Sequence, residues 1–198
     1  MGGAVSRYGS RRGAYCRLGT NRVLQQGVLA LAAQNARARS VLSRRFLPKT
    51  SIQGLRAFAA IYAGWGVSEA FFRTEAYRAF GAKDHEQFVQ YFWEPFFQRC
   101  DANNLLNQLW TWEDGDISDN SIYNGNFEAA LRAIKARTII VPVDLDRYFP
   151  PVDAEYEAQH MPNGRCHVLK SIWGHMAPMD LSDTGVLDGL LNELLTNT

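Results

Sequence analysis

An α/β fold is predicted for this 198-residue chain, because its C-terminal part alternates helix, strand, helix, strand and helix signals with short connections. A second observation adds a helical component: residues 52–113 carry aromatic side chains at helical spacing and show no strand alternation. A third is composition, since 46% hydrophobic residues with 5 Trp, 8 Tyr and 11 Phe can fill a sizeable core and exclude a disordered chain. No run approaches the roughly 18 consecutive apolar residues of a membrane span, so the sequence reads as soluble, with no membrane partner.

In chain order, residues 1–21 are rich in Gly, Arg, Ser and Tyr without a period, and read as an irregular basic segment. Residues 22–51 read as a helix and linker: Val23, Gly27, Val28, Leu31 and Ala32 have helical spacing, and a basic stretch follows with Pro48 as a stop. The first acidic residue is Glu69, and ten Arg and one Lys precede it. Such a basic, acid-free N-terminus fits an organelle transit peptide, so mitochondrial import stands beside the cytoplasm as the compartment. A nucleic-acid arm finds no support, for the basic residues lack aromatic interleaving and a helix-turn-helix pattern. Cys16, Cys100 and Cys166 are odd in number and far apart, which speaks against a disulfide framework and for a reducing compartment.

The helical stretch 52–113 presents Leu55, Phe58, Ala59 and Tyr62 on one face, then Ala70, Phe71, Thr74 and Tyr77, then Phe88, Tyr91, Phe92 and Phe96. Gly64-Trp65-Gly66 and Phe80-Gly81 punctuate it, and Asp114-Gly115-Asp116 with Asp119-Asn120 marks its exit. These aromatic faces suit core packing, with a substrate-lining role as the sharper reading. Residues 114–198 carry the alternating elements. Asn126 is an N-cap for a helix bearing Phe127, Ala130, Leu131 and Ile134, and Thr138 to Val141 forms a fully buried β-branched strand. Pro150 and Pro151 open a helix to about His160, Met161-Pro162-Asn163-Gly164 ends it, and Cys166 to Ile172 is the next strand. A last helix places Val186, Leu187, Leu190, Leu191, Leu194 and Leu195 on one stripe.

Chemistry concentrates in the loops after the two strands. In a parallel sheet functional groups collect beyond the carboxyl ends of the strands, where Asp146 and His175 fall. A carboxylate fixes the tautomer of an imidazole and stabilises the imidazolium formed in proton transfer, so the two read as the acid and base of a catalytic triad. Gly174 allows a tight turn before the base. Asp144 competes with Asp146 for the acid role. His85, His160 and His167 read as structural or solvent-facing, and no metal-ligand spacing or phosphate-cradling loop occurs, so no metal or cofactor is expected.

The ordered segments Gly54-Leu55-Arg56-Ala57-Phe58 with Tyr62-Ala63-Gly64-Trp65-Gly66, then Gly115-Asp116-Ile117-Ser118, then Asp146-Arg147-Tyr148-Phe149-Pro150, and Trp173-Gly174-His175 carry a resemblance. From about Arg22 to Leu195 the chain resembles the C-terminal part of the homoserine O-acetyltransferase family in the α/β-hydrolase superfamily. The resemblance implies a partial α/β-hydrolase fold with a helical lid at 52–113, Asp146 rather than Asp144 as the acid, and His175 as the base. It also implies a small-molecule acyl donor such as acyl-CoA, and a hydroxyl acceptor or water.

Two departures bear on that expectation. No Gly-x-Ser-x-Gly turn occurs, and Ser6, Ser10, Ser118, Ser121 and Ser171 lack the strand-turn-helix setting of a nucleophile. The family's Ser sits before Met-Gly-Gly, and this chain begins Met1-Gly2-Gly3, which suggests a truncated gene model, a split gene or a shifted reading frame. Met176 follows the base where homoserine acetyltransferases carry an Asp, which points away from homoserine and towards an esterase or another acyltransferase. With only the acid and base present, the expectation is an incomplete hydrolase, inactive alone, oligomerising or aggregating through its exposed sheet. The alternative is a non-catalytic relic or binding module.

Overall fold

The computed structural model describes residues 52–180 and 184–196, so the expectations for 1–21 and 22–51 lie outside the described residues, as do Ser6, Ser10 and Cys16. The described residues divide into two compact units, one of residues 52–115 and the other of the residues from Asp116 onwards.

The first unit is helical. Helix α1 (Ile52–Gly66) buries Leu55, Phe58, Ala59 and Ala63 along one face, the spacing expected of an amphipathic helix. Helix α2 (Glu69–Arg73) starts at Ser68, whose hydroxyl accepts the Phe71 N–H at 3.1 Å, and a tight turn at Ala76–Phe80 ends at Gly81 with a φ of 77°. Helix α3 (His85–Phe88), capped by Asp84, continues through a wide π-type turn at Val89–Trp93 into α4 (Glu94–Gln98). The widening comes just before Pro95, which has no N–H to donate and whose ring a regular turn would not accommodate. Helix α5 (Ala102–Asp114) is capped by Asp101, which accepts the N–H groups of Asn103 and Asn104.

Aromatic rings form the core of this unit. Phe71, Phe88 and Trp93 are fully buried, Phe58 meets Phe97 edge to face at 4.7 Å, and Phe88 stacks on Phe92 at 5.2 Å. Gly66 ends α1 against this core. A Cβ there would stand 2.8 Å from the Trp93 ring, so the indole occupies the space a side chain would need. Of the glycines in Gly64-Trp65-Gly66, Gly66 thus serves close approach, whereas a Cβ at Gly64 would meet nothing, and the helix runs through the segment rather than breaking within it.

The second unit carries the sheet. Asn126 caps α6 (Phe127–Ala133) by accepting the Ala129 N–H at 2.9 Å, and strand β1 (Thr138–Ile140) follows. Helix α7 (Pro151–His160) leads to β2 (Gly164–Cys166), which pairs with β1 in parallel, Thr138 opposite Gly164 and Ile140 opposite Cys166. This strand–helix–strand unit is the predicted α/β element. Helix α8 (Thr184–Thr196) closes the described chain.

Three strand expectations need correction. The regular pairing stops after three residues, at Ile140 and Cys166, rather than running to Val141 and Ile172. Pro142 has no N–H with which to donate the next bond, although Leu169 still donates to the Pro142 carbonyl at 2.9 Å and a lone parallel bridge joins Val143 to Leu169. The second strand also begins two residues early, at Gly164, where a Cβ would lie 2.9 Å from the Ala158 carbonyl of α7 and 2.6 Å from the Met161 Cβ. Finally, β1 is half-buried, not fully buried. Among the described residues the sheet has two strands, too few to cover the β-branched faces that a wider parallel sheet encloses.

Candidate active site

The two loops beyond β1 and β2 are tied together before they reach the candidate residues. The Asp144 N–H donates to the Leu169 carbonyl at 2.8 Å, and one Asp144 carboxylate oxygen accepts the Ser171 N–H at 3.1 Å. Asp144 is therefore occupied in joining the loops. Beneath it Val143, Leu169 and Ala177 form a small buried cluster, with Val141, Trp173 and Leu187 packed against it. This apolar base holds the loops where the strand ladder has ended.

Asp146 sits in the next turn, its N–H bonded to the Val143 carbonyl at 3.1 Å. Its Oδ1 accepts the backbone N–H groups of Tyr148 at 2.7 Å and Phe149 at 3.1 Å, an Asx-type arrangement that leaves the carboxylate little rotational freedom. Its Oδ2 lies 3.1 Å from His175 Nδ1. On the other loop, Ser171 Oγ accepts the Trp173 N–H, and Gly174 takes a φ of 58° to turn the chain into a short tight helix at Gly174–Met179. That left-handed residue is where a side chain would be strained, and it precedes the base directly.

The pair is partly enclosed: the Asp146 side chain is 7% exposed and the His175 side chain 26%. The Tyr148 ring approaches the imidazole edge-on at 4.8 Å, and the Phe149 ring lies tilted at 5.4 Å. The residues that orient the acid through their amides thus place aromatic rings against the base. The sequence reading met Tyr148 and Phe149 within the Asp146-to-Pro150 motif but gave them no place against the imidazole. With the carboxylate facing Nδ1, the tautomer protonated on Nδ1 is favoured, which leaves Nε2 the unprotonated ring nitrogen.

The remaining candidates are placed elsewhere. His160 Nδ1 meets the Tyr156 carbonyl at 2.8 Å within α7, His85 opens α3, and the His167 N–H donates to the Ile140 carbonyl. Ser118 is fully buried and donates its hydroxyl to Asp116 at 2.6 Å, whereas Ser121 is exposed in a turn. Burial, then the nearby Glu155 carboxylate, push the Cys166 thiol up, the opposite of what a nucleophilic thiolate needs. Among the described residues no group of three His, Cys, Asp or Glu side chains is gathered as metal ligands, and no helix is long and apolar enough to cross a membrane. Within the helical unit, Phe58, Tyr62, Phe97, Leu105, Leu109 and Trp112 contribute to a groove of about 580 Å³.

No protein-family profile matches the chain. Over 143 residues, 71% of its length, it is 34% identical to a probable esterase, Cgl0839, of Corynebacterium glutamicum, and over 146 residues, 73% of its length, it is 35% identical to an ethyl acetate hydrolase of Pseudomonas veronii. The chain spans about two-fifths of these relatives, 40% and 41% respectively. Similarity to homoserine O-acetyltransferases is weaker, as with that of Clavibacter michiganensis, 30% identical over 46% of the chain. Among solved structures, the acetyl esterase MekB superposes with a TM-score of 0.77 and 28% identity, covering 87% of this chain and 51% of that one. An acetylester hydrolase of Corynebacterium glutamicum superposes with a TM-score of 0.75 over 85% of this chain and 49% of that one. From its strand–helix–strand order and these likenesses, the chain is a partial α/β-hydrolase fold and belongs to the α/β-hydrolase superfamily.

Proposed function

We propose that this chain supplies the acid and base of an ester hydrolase, Asp146 orienting His175, and that a Ser from outside these 198 residues is the nucleophile. The observation that carries the reading is the 3.1 Å approach of Asp146 Oδ2 to His175 Nδ1, on a carboxylate already held by two backbone N–H groups. His175 Nε2 takes the proton of the Ser hydroxyl as it attacks the ester carbonyl. It returns that proton to the leaving alcohol, and the same cycle with water releases the acid. A short acyl ester is the substrate class, supported by the ethyl acetate hydrolase and acetyl esterase among the chain's relatives.

Water rather than homoserine is the acceptor. Met176 follows the base, and a thioether gives no charge to meet an amino acid's ammonium group. No cofactor takes part, and acyl-CoA is the less favoured donor, since the similarity to transferases covers less of the chain than the similarity to esterases. The residues 52–113 serve in this reading as the lid segment of the complete enzyme.

The test is to complete the fold by joining the chain to the nucleophile-bearing N-terminal half of one of its esterase relatives, and to follow ethyl acetate hydrolysis with and without homoserine. Hydrolysis that homoserine does not divert, and that falls by at least about a thousandfold in His175→Ala, is the expected result. A completed, folded protein that binds but does not turn over esters would favour the non-catalytic alternative. Preferential acetyl transfer to homoserine would overturn the assignment of water.

A further inference from the structure

We propose, resting on the hydrolase reading above, that Phe149 is the specificity-determining contact for the alcohol half of the ester. The step concerned is collapse of the tetrahedral intermediate: the C–O bond to the alcohol breaks, and the proton on His175 Nε2 passes to the departing oxygen. A proton donor and its acceptor stand about 3 Å apart, so the first carbons of the alcohol lie within roughly 6 Å of the imidazole. The Phe149 ring centre is 5.4 Å from the His175 ring centre, inside that shell.

The two aromatic neighbours of the base differ in what they can touch. Tyr148 is 1% exposed and its ring edge abuts the imidazole, so it can hold the base but not meet a ligand. Phe149 is 49% exposed, while its backbone N–H is fixed on Asp146 Oδ1 at 3.1 Å. A single exposed Phe on a protein surface needs no explanation. One whose backbone is anchored to the acid and whose ring lies tilted beside the base puts apolar surface within the distance at which a leaving group would sit. Leu145 on the acid loop and Ile172 on the base loop are also exposed, beside the half-buried Arg147 and the exposed Lys170 of the same loops. The ligand class that fits the Phe149 ring is an ester of an unbranched or aromatic alcohol several carbons long.

Two measurements test this. In the completed protein, the His175 ring proton resonances are followed while methanol or n-butanol is added. Displacement by butanol but not methanol, lost in Phe149→Ala and partly kept in Phe149→Leu, is expected. In the completed enzyme, kcat/KM is compared for methyl, ethyl and n-butyl acetate. Each methylene laid on the ring is worth up to about fourfold, so the butyl-to-methyl ratio is expected to fall about tenfold in Phe149→Ala. Equal loss on all three esters, or an unchanged ratio, overturns the contact, as does a butanol titration blind to Phe149→Ala. Failure of the wild-type completed protein to hydrolyse any ester would instead count against the hydrolase reading.

Discussion

At the scale of single residues, three hydrogen bonds from the two loops hold one carboxylate still. Asp146 faces two backbone donors and the imidazole, whereas Asp144 faces the Ser171 amide. From residue pattern alone both acids satisfy the same rule, a carboxylate just past a strand. Their difference lies in side-chain direction, which one-dimensional spacing does not encode. Gly174 was legible as a turn residue, and its φ of 58° shows what the turn requires. Gly174→Ala therefore forces an L side chain into the left-handed region at a cost of about 1–2 kcal/mol, read as a lower melting temperature. It also shifts the neighbouring His175, so hydrolysis by the completed enzyme is expected to drop further than the stability loss alone explains.

At the scale of elements, the helices were legible except at the π-type turn Val89–Trp93, which shifts burial from the expected Tyr91 and Phe96, both exposed, to Trp93 and Phe97, and the strand limits were not legible. Helical spacing at Leu55, Phe58 and Ala59 and the cap at Asn126 are local properties, and both match the observed α1 and α6. The strand ends depend on a missing donor at Pro142, on tight packing of Gly164 on α7, and on how many strands share the sheet, none of which apolar content reveals. The close fit of α1 to the aromatic core gives a sharp prediction. Gly66→Ala places a Cβ 2.8 Å from a Trp93 ring that is itself fully buried. Overpacking of this kind costs about 1–3 kcal/mol, so urea unfolding of the helical unit is expected at a lower midpoint than in Gly185→Ala, where a Cβ would meet nothing.

At the scale of the molecule, the chain matches about half of its structural relatives and bears the marks of a sheet in need of neighbours. Strand β1 is half-buried, α8 contributes no buried residue, and Leu191 and Leu195 are 54% and 72% exposed. Apolar strand and helix faces of this kind drive association, so the chain by itself is expected to bind a hydrophobic dye and to sediment as concentration-dependent oligomers. Joining the nucleophile-bearing half should suppress both, and a monodisperse, dye-silent chain would count against this. The central claim, that Asp146 and His175 act as acid and base, is tested most directly by comparing Asp146→Asn with Asp144→Asn in the completed enzyme, using kcat/KM for ethyl acetate. Asn at 146 can donate to His175 and so favours the wrong tautomer, with a loss of about 10⁴-fold expected. Asn at 144 can still accept the Ser171 N–H and should cost far less. Equal losses at the two positions, or the larger loss at 144, would contradict the account.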